Sequence, residues 1–347
     1  YLDLFARPNK RGGAWMDGCL SRAKLNGKTQ APVAYLVCNF NSPVGDTPSL
    51  LTHSEVVTLF HEFGHGIHHL LTEIDYPSIA GINGVEWDAV ELPSQFLENF
   101  TWRPEVLTSL AGHYRTGAPL PKDKLDMLQR SRKFLAGLAM VRQLEFALFD
   151  FRLHHEYDPQ RGSRVLEILA EVRREVAVIQ PPAFNRLPHS FGHIFGGGYA
   201  AGYYSYKWAE VLSADAWSAF EEEGVLNPDT GRRYRQAILE MGGSRDAIAG
   251  WIGRRYGIPA PDPATQVLPV PTGSASIAPP LPRLVSAPSW IFVIPSASTM
   301  WYSSGTPKDG VKFQRKMNWN SSMITSATVD TMRSCCIHGT ARSGKFV

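Results

Sequence analysis

His61 and His65 stand four residues apart with Glu62 between them, in the run His61-Glu62-Phe63-Gly64-His65. On a helix, positions i and i+4 share a face, so both imidazoles can converge on one metal ion. The intervening glutamate is then placed to take a proton from water at that metal. Such a pentapeptide also arises by chance, so it needs an element to carry it. That element is legible. Thr52 and Glu55 have the spacing of a capping box, and Val56, Leu59, Phe60, Phe63, Ile67, Leu70 and Leu71 follow with helical periodicity. The pattern predicts a helix from Thr52 to Thr72, its apolar stripe buried and its His61/His65 edge lining a cleft.

Two imidazoles do not complete a catalytic zinc site, which takes a third protein ligand and keeps one position for water. The metzincin arrangement needs a glycine at 68 and a histidine at 71, where this chain has His68 and Leu71. A glutamate from a following helix is the other common solution. Asp88, Glu91 and Glu98 are spaced to share one helix face within residues 85–100. A solvated helix face would show the same spacing. Beside two histidine ligands, one carboxylate on the metal and others orienting imidazole N–H groups is the more economical reading. His68 and His69 read as partly buried helix histidines hydrogen-bonded to neighbours, and His53 as a capping or surface residue.

A second cluster runs from Phe191 through Gly192-His193, Gly196-Gly197-Gly198 and Tyr199 to Tyr203 and Tyr206. Three consecutive glycines predict a mobile loop. The tyrosines at 199, 203 and 206 fall on one face of a helix, where they form either an aromatic core stripe or neutral donors for an oxyanion. Pro32–Phe40 reads as a strand before the histidine helix, a candidate edge for pairing with an extended peptide, with Cys38 a small strand hydrophobe. No Gly-x-Ser-x-Gly elbow occurs, and no Gly-Lys-Ser/Thr follows the glycines to make a phosphate loop.

Taken in order, His-Glu-Phe-Gly-His, Val90-Glu91-Leu92-Pro93-Ser94-Gln95 and Leu97-Glu98-Asn99 resemble the thimet oligopeptidase family of zinc metallopeptidases, and within it the bacterial oligopeptidase A branch. The likeness starts at Tyr1-Leu2-Asp3-Leu4 and Lys10-Arg11-Gly12-Gly13-Ala14-Trp15 and continues to about Gly243. The resemblance implies Glu91 as third zinc ligand with His61 and His65, and Glu62 as the base. It makes Asp88 and Glu98 the candidates for holding the histidines. It implies that His193, Tyr199, Tyr203, Tyr206 and the loop glycines Gly197 and Gly198 close over substrate. Tyr203 and Tyr206 are expected at the oxyanion, His193 and Tyr199 on the substrate backbone, and Tyr204 in packing. The implied activity is zinc-dependent hydrolysis of internal bonds in short peptides by a cytoplasmic enzyme. The full-length enzyme is expected to be a monomer without nucleic-acid or membrane partners. One Zn²⁺ per chain is expected, since two imidazoles and a carboxylate suit zinc better than magnesium or calcium.

The expected fold is mainly α, a zincin-like catalytic domain with a small β-sheet edge near the active-site helix. Helical patterns also cover 87–101, 122–157, 162–178, 199–223 and 229–241, and the Arg142, Glu145 and Arg152 charges read as a solvated edge. No apolar run is long enough to span a membrane. The start at Tyr1 leaves a preceding targeting segment open. Cys19, Cys38, Cys335 and Cys336 are few and unpatterned, which fits a reducing compartment.

Composition shifts after Pro259. Residues 1–259 carry 27 basic and 29 acidic side chains, whereas 260–347 carry eight basic residues, three aspartates and no glutamate. The net charge of +3 therefore belongs to the second part. The expected division is a catalytic domain over 1–259 and a Ser/Pro-rich basic tail over 260–347, disordered or non-native. The family resemblance implies a large preceding helical portion that walls a substrate channel, and Met241–Asp246 reaches Tyr256-Gly257-Ile258 quickly. The alternative to a peptidase is accordingly a zinc-binding remnant that lacks half of its channel and turns over little.

Overall fold

The computed structural model describes residues 1–247 and Trp251. The predicted tail over 260–347 and the segment Tyr256-Gly257-Ile258 lie outside the described residues. What is described is mainly α, with the sheet confined to the first forty residues.

Strands β1 (Leu2–Phe5), β2 (Trp15–Leu20) and β5 (Val33–Phe40) form one sheet, and β3 (Ala23–Leu25) pairs with β4 (Lys28–Gln30) as a hairpin. The alternation in β5 turns Ala34, Leu36, Cys38 and Phe40 inward, the period of a half-buried strand. Cys38 and Phe40 pack with Leu59 of the histidine helix, so Cys38 is the strand hydrophobe its sequence suggests. The strand is not an edge, however. β1 runs parallel to it on one side and β2 antiparallel on the other. The free edge beside the histidine helix belongs to β2. His69 of that helix reaches the Leu20 carbonyl oxygen at 2.9 Å.

Helix α1 (His53–Leu70) starts where the sequence placed it. Thr52 Oγ1 accepts the Glu55 N–H at 3.3 Å and the Glu55 carboxylate accepts the Thr52 N–H at 2.7 Å. This reciprocal cap stabilises the helix start by about 1 kcal/mol. His53 lies just inside, its Nε2 2.9 Å from the Thr101 carbonyl oxygen and its ring against Trp102. The apolar side of α1 joins a core built from α3 (Leu92–Glu98), α10 (Ser205–Glu223) and α11 (Pro228–Tyr234), after the short α2 (Trp87–Val90). Phe96 sits at its centre, stacked on Tyr234 at 3.9 Å and edge-on to Phe220 at 5.0 Å.

Between these elements come α4 (Pro104–Leu110), α5 (Lys122–Ser131), α6 (Ala136–His155), α7 (Val165–Val176), α8 (Leu187–Ser190) and α9 (Gly192–Gly196). The predicted single pattern over 122–157 is two helices, because Leu135 takes a left-handed φ of 54° between them. Glu145 is buried rather than solvated. Arg142 at 2.5 Å and Arg173 of α7 at 2.8 Å neutralise it. A second core of Phe149, Ile168, Leu169, Val172, Phe191, Ile194 and Tyr203 joins α6 and α7 to the segment before α10. No helix among the described residues is long and apolar enough to cross a membrane.

Candidate metal centre and active site

Helices α1 and α3 touch backbone to backbone at Gly64. A Cβ at that position would lie 2.4 Å from the Pro93 carbonyl oxygen and 2.5 Å from Ser94 Cα, so only glycine lets the helices approach this closely. The approach brings Glu91 under the two histidines. Its Oε2 lies 3.1 Å from His61 Nε2 and 3.1 Å from His65 Nε2. The helical run over 87–101 breaks at Glu91, which has φ −87° and ψ −1° between α2 and α3. That break separates the three acids. Glu98 Oε1 takes the His61 Nδ1 proton at 2.7 Å, as expected of an orienting carboxylate. Asp88 holds neither histidine. It accepts the Tyr204 hydroxyl at 3.4 Å, so it is corrected to a partner of the tyrosine segment, and Tyr204 to a hydrogen-bond donor.

Among the described residues, His61, His65 and Glu91 are the group whose ligand atoms converge within 4.8 Å. The donors fit a metal ion by their chemistry. Glu91 is 1 % exposed, an anion that burial alone would disfavour. Burial pushes its carboxyl upward, but the His65 charge and the hydrogen bonds from both histidines outweigh it and hold the group well below the usual carboxylate range. Burial likewise pushes His61 down, and hydrogen bonds to Glu91 and Glu98 raise it well above an ordinary imidazole. The pocket demands positive charge, which a proton or a metal can supply. His65 Nδ1 is buried with no hydrogen-bond partner among the described residues.

Glu62 is 6 % exposed and faces the sheet side of this centre. Burial first, then the neighbouring Glu91, raise its carboxyl above the usual range, partly offset by the histidines and by the Met16 backbone N–H that it accepts from β2. A carboxylate with raised basicity beside two metal-type ligands is equipped to hold and move a proton.

The tyrosines arrive from the other side. They do not share one regular helix, since α10 begins only at Ser205 and Ala201 has a left-handed φ of 56°. Their rings nevertheless gather: Tyr199 stacks on Tyr206 at 4.9 Å, and Tyr203 lies 5.1 Å from Tyr206. Tyr199 donates its hydroxyl to Glu91 Oε1, and the Tyr206 phenol lies within reach of the Glu91 charge. Burial and the Glu91 charge push both phenols up, so they stay neutral donors. Tyr203 instead donates to Gln143 Oε1 at 3.0 Å, with burial raising its phenol to about 12. Of the two tyrosines expected at the oxyanion, Tyr206 thus stacks on the Tyr199 that reaches Glu91, whereas Tyr203 turns toward α6. His193 lies within the group, 5.7 Å from the Tyr203 ring and 6.1 Å from that of Tyr206, and burial lowers its pKa.

Gly198 must be glycine. Its φ is 86°, and a Cβ would meet Trp87 at 3.1 Å. Gly197 is tighter still, with the His193 carbonyl oxygen 2.9 Å from a would-be Cβ. His68 and His69 are more deeply buried than expected, at 2 % and 1 % exposure. His69 has its Leu20 partner, whereas neither ring nitrogen of His68 has a partner among the described residues.

Sequence reasoning gave no role to Ser94 or Gln95. Ser94 Oγ donates to Glu91 Oε2 at 2.7 Å, and Gln95 Nε2 donates to the Tyr206 carbonyl oxygen at 2.8 Å. Their spacing of three and four residues after Glu91 was the available signal.

Residues 1–251 match the description Peptidase family M3. The chain is 60 % identical over 249 residues to Oligopeptidase A of Haemophilus influenzae, covering 72 % of this chain and 37 % of that protein. It is 59 % identical to Oligopeptidase A of Escherichia coli over the same shares. It is 40 % identical to the Dipeptidyl carboxypeptidase of Escherichia coli over 248 residues, 71 % of this chain and 36 % of that protein. The chain therefore spans little more than a third of the length of these relatives. The match runs through both sides of the site, from the β2 edge to the tyrosines, and the chain belongs to peptidase family M3.

Proposed function

We propose that the chain is a zinc-dependent endopeptidase acting on internal bonds of short peptides. The observation that carries this reading is the convergence of His61, His65 and Glu91 with Glu62 alongside. Two imidazoles and one carboxylate are the donor set of a catalytic zinc site, and zinc, when bound, supplies a Lewis acid for the carbonyl and for water. His61, His65 and Glu91 hold the ion, and Glu98 keeps the His61 ring oriented.

Glu62 takes the proton of the attacking water on its carboxylate and delivers it to the leaving nitrogen. Its raised basicity favours the first half of that cycle. Tyr206 donates its hydroxyl to the developing oxyanion, with His193 and Tyr199 beside the substrate. An extended peptide pairs with the free edge of β2, not with the central β5, and backbone pairing of that kind selects extension over sequence. The proposed setting is a cytoplasmic monomer with peptides as its partners.

A quenched fluorogenic peptide incubated with the chain tests the reading. Cleavage is expected, abolished by a chelator and restored by added zinc. Cleavage that survives complete removal of metal would overturn it. A chain that carries zinc and cleaves nothing would favour the alternative, a zinc-binding body without turnover, which the coverage of little more than a third of the relatives' length keeps in view.

A further inference from the structure

We propose that Asp150 is a positioning residue that sets the tyrosine segment against the metal ligands. The inference rests on the peptidase reading for its kinetic consequence but stands on contacts of its own. The segment from Gly196 to Tyr204 has little internal support. It opens with three glycines, passes through a left-handed alanine at 201, and becomes regular helix only at Ser205. A backbone of this kind keeps one shape only if something outside it fixes that shape.

Asp150 supplies the fixing. It lies on α6, 1 % exposed, in the wall that carries Phe146 and Phe149. Its Oδ1 accepts the Ala201 N–H at 2.9 Å and its Oδ2 accepts the Tyr203 N–H at 2.9 Å. The two amides precede α10 and have no acceptor within that helix. One carboxylate therefore spans the left-handed residue and clamps the chain on both sides of it. His154 Nδ1 lies 2.8 Å from the Asp150 carbonyl oxygen and 3.1 Å from the same Oδ1.

The clamp faces a second one. Gln95, four residues after the ligand Glu91, holds the Tyr206 carbonyl oxygen at 2.8 Å. Between them the two contacts fix the main chain on either side of Tyr204, and with it the stacked pair Tyr199 and Tyr206, of which Tyr199 reaches Glu91. Asp150 touches neither ligand nor tyrosine ring in this arrangement. It acts through the backbone, which distinguishes it from a residue that merely fills the core.

The test compares Asp150→Asn with wild type in the zinc-loaded full chain. The amide keeps the size of the side chain but offers an N–H to one of the two backbone donors, so one clamp contact is lost. Hydrogen exchange at residues 201 and 203 is expected to accelerate about tenfold or more, with α1 amides unchanged. Zinc content stays the same. A misplaced donor lowers kcat on the order of tenfold to a hundredfold, with KM within about threefold. Combined with Tyr206→Phe the loss is not additive, because both variants remove the same donor.

Ala201→Val attacks the clamp without unburying a carboxylate, since a β-branched residue resists the left-handed conformation. It should reproduce the selective loss of kcat, and it decides the matter if Asp150→Asn fails to fold. Unchanged exchange at 201 and 203 in Asp150→Asn, or full kcat in Ala201→Val, would overturn the proposal. If the wild-type chain cleaves no peptide, the peptidase reading fails, while the exchange comparison still decides whether Asp150 holds the segment.

Discussion

The two halves of the site are built by opposite means. His61, His65 and Glu91 sit on helices pressed together at Gly64, and their geometry follows from a backbone contact that tolerates no side chain. Tyr199, Tyr203 and Tyr206 sit on a glycine-led segment steered by a few hydrogen bonds from α3 and α6. The first half is set by close packing, the second by placement of polar groups. Packing fixes the convergence of His61, His65 and Glu91, whereas polar contacts fix the tyrosines. The Tyr199 hydroxyl rests on Glu91, and the Tyr206 ring is stacked on that of Tyr199.

The contrast can be broken most severely at Gly64. Gly64→Val must push α1 from α3, because the clash is with the backbone of Pro93 and Ser94. A loss of about 3 kcal/mol in stability is expected. Zinc content should fall with it, since Glu91 then leaves the histidines. Calorimetry with metal analysis checks both, and a variant of normal Tm that retains zinc would show that the approach is not what forms the site.

On the tyrosine side, the effects are kinetic rather than structural. Tyr206→Phe should lower kcat about a hundredfold with little change in KM, the size of one lost oxyanion donor. Tyr203→Phe should cost less, about tenfold, because its hydroxyl is engaged by Gln143. Steady-state kinetics of both variants would sharpen the comparison. Equal losses would mean that Tyr203 swings from Gln143 to the substrate during turnover.

The smallest expected effect concerns His68, the packed half's buried imidazole. Burial lowers its pKa to about 3 from the ordinary 6.5. The unfolded chain therefore binds the proton that the folded chain refuses, and stability falls as pH drops from about 6.5 toward 3. His68→Leu should flatten the dependence by about one proton over that window. Thermal unfolding at stepped pH measures it, and an unchanged slope would show that His68 is protonated in the fold.

What could be read from the sequence follows the same division. The histidine helix was legible to its first residue, because a capping box and an apolar stripe are local signals. The third ligand was not legible from spacing, which left Asp88, Glu91 and Glu98 on one nominal face. The resemblance singled out Glu91, and the break between α2 and α3 is the physical reason that Asp88 turns to Tyr204 instead. The strand at 33–40 was evident from its alternation, but its central place depends on β1 and β2, whose pairing no local pattern announces. Glu145 looked like a solvated charge because its partner Arg173 lies 28 residues away. The tyrosines were read as one helical face, and the left-handed Ala201 that ends that regularity is held by Asp150, fifty-one residues distant. Local patterns gave the histidine helix of the packed half but not its third ligand; the polar half is made of long-range contacts.

The central claim is that a zinc held by His61, His65 and Glu91 works with Glu62 as the proton carrier. Glu62→Gln tests it most directly, because the amide keeps the size of the side chain and leaves all three ligands in place but cannot take a proton from water. Zinc content and peptide turnover are measured on the same preparation. The account predicts about one zinc per chain in both wild type and variant, with turnover in the variant lower on the order of a thousandfold or more. A variant that holds its zinc and cleaves peptide at a rate near wild type would contradict the account.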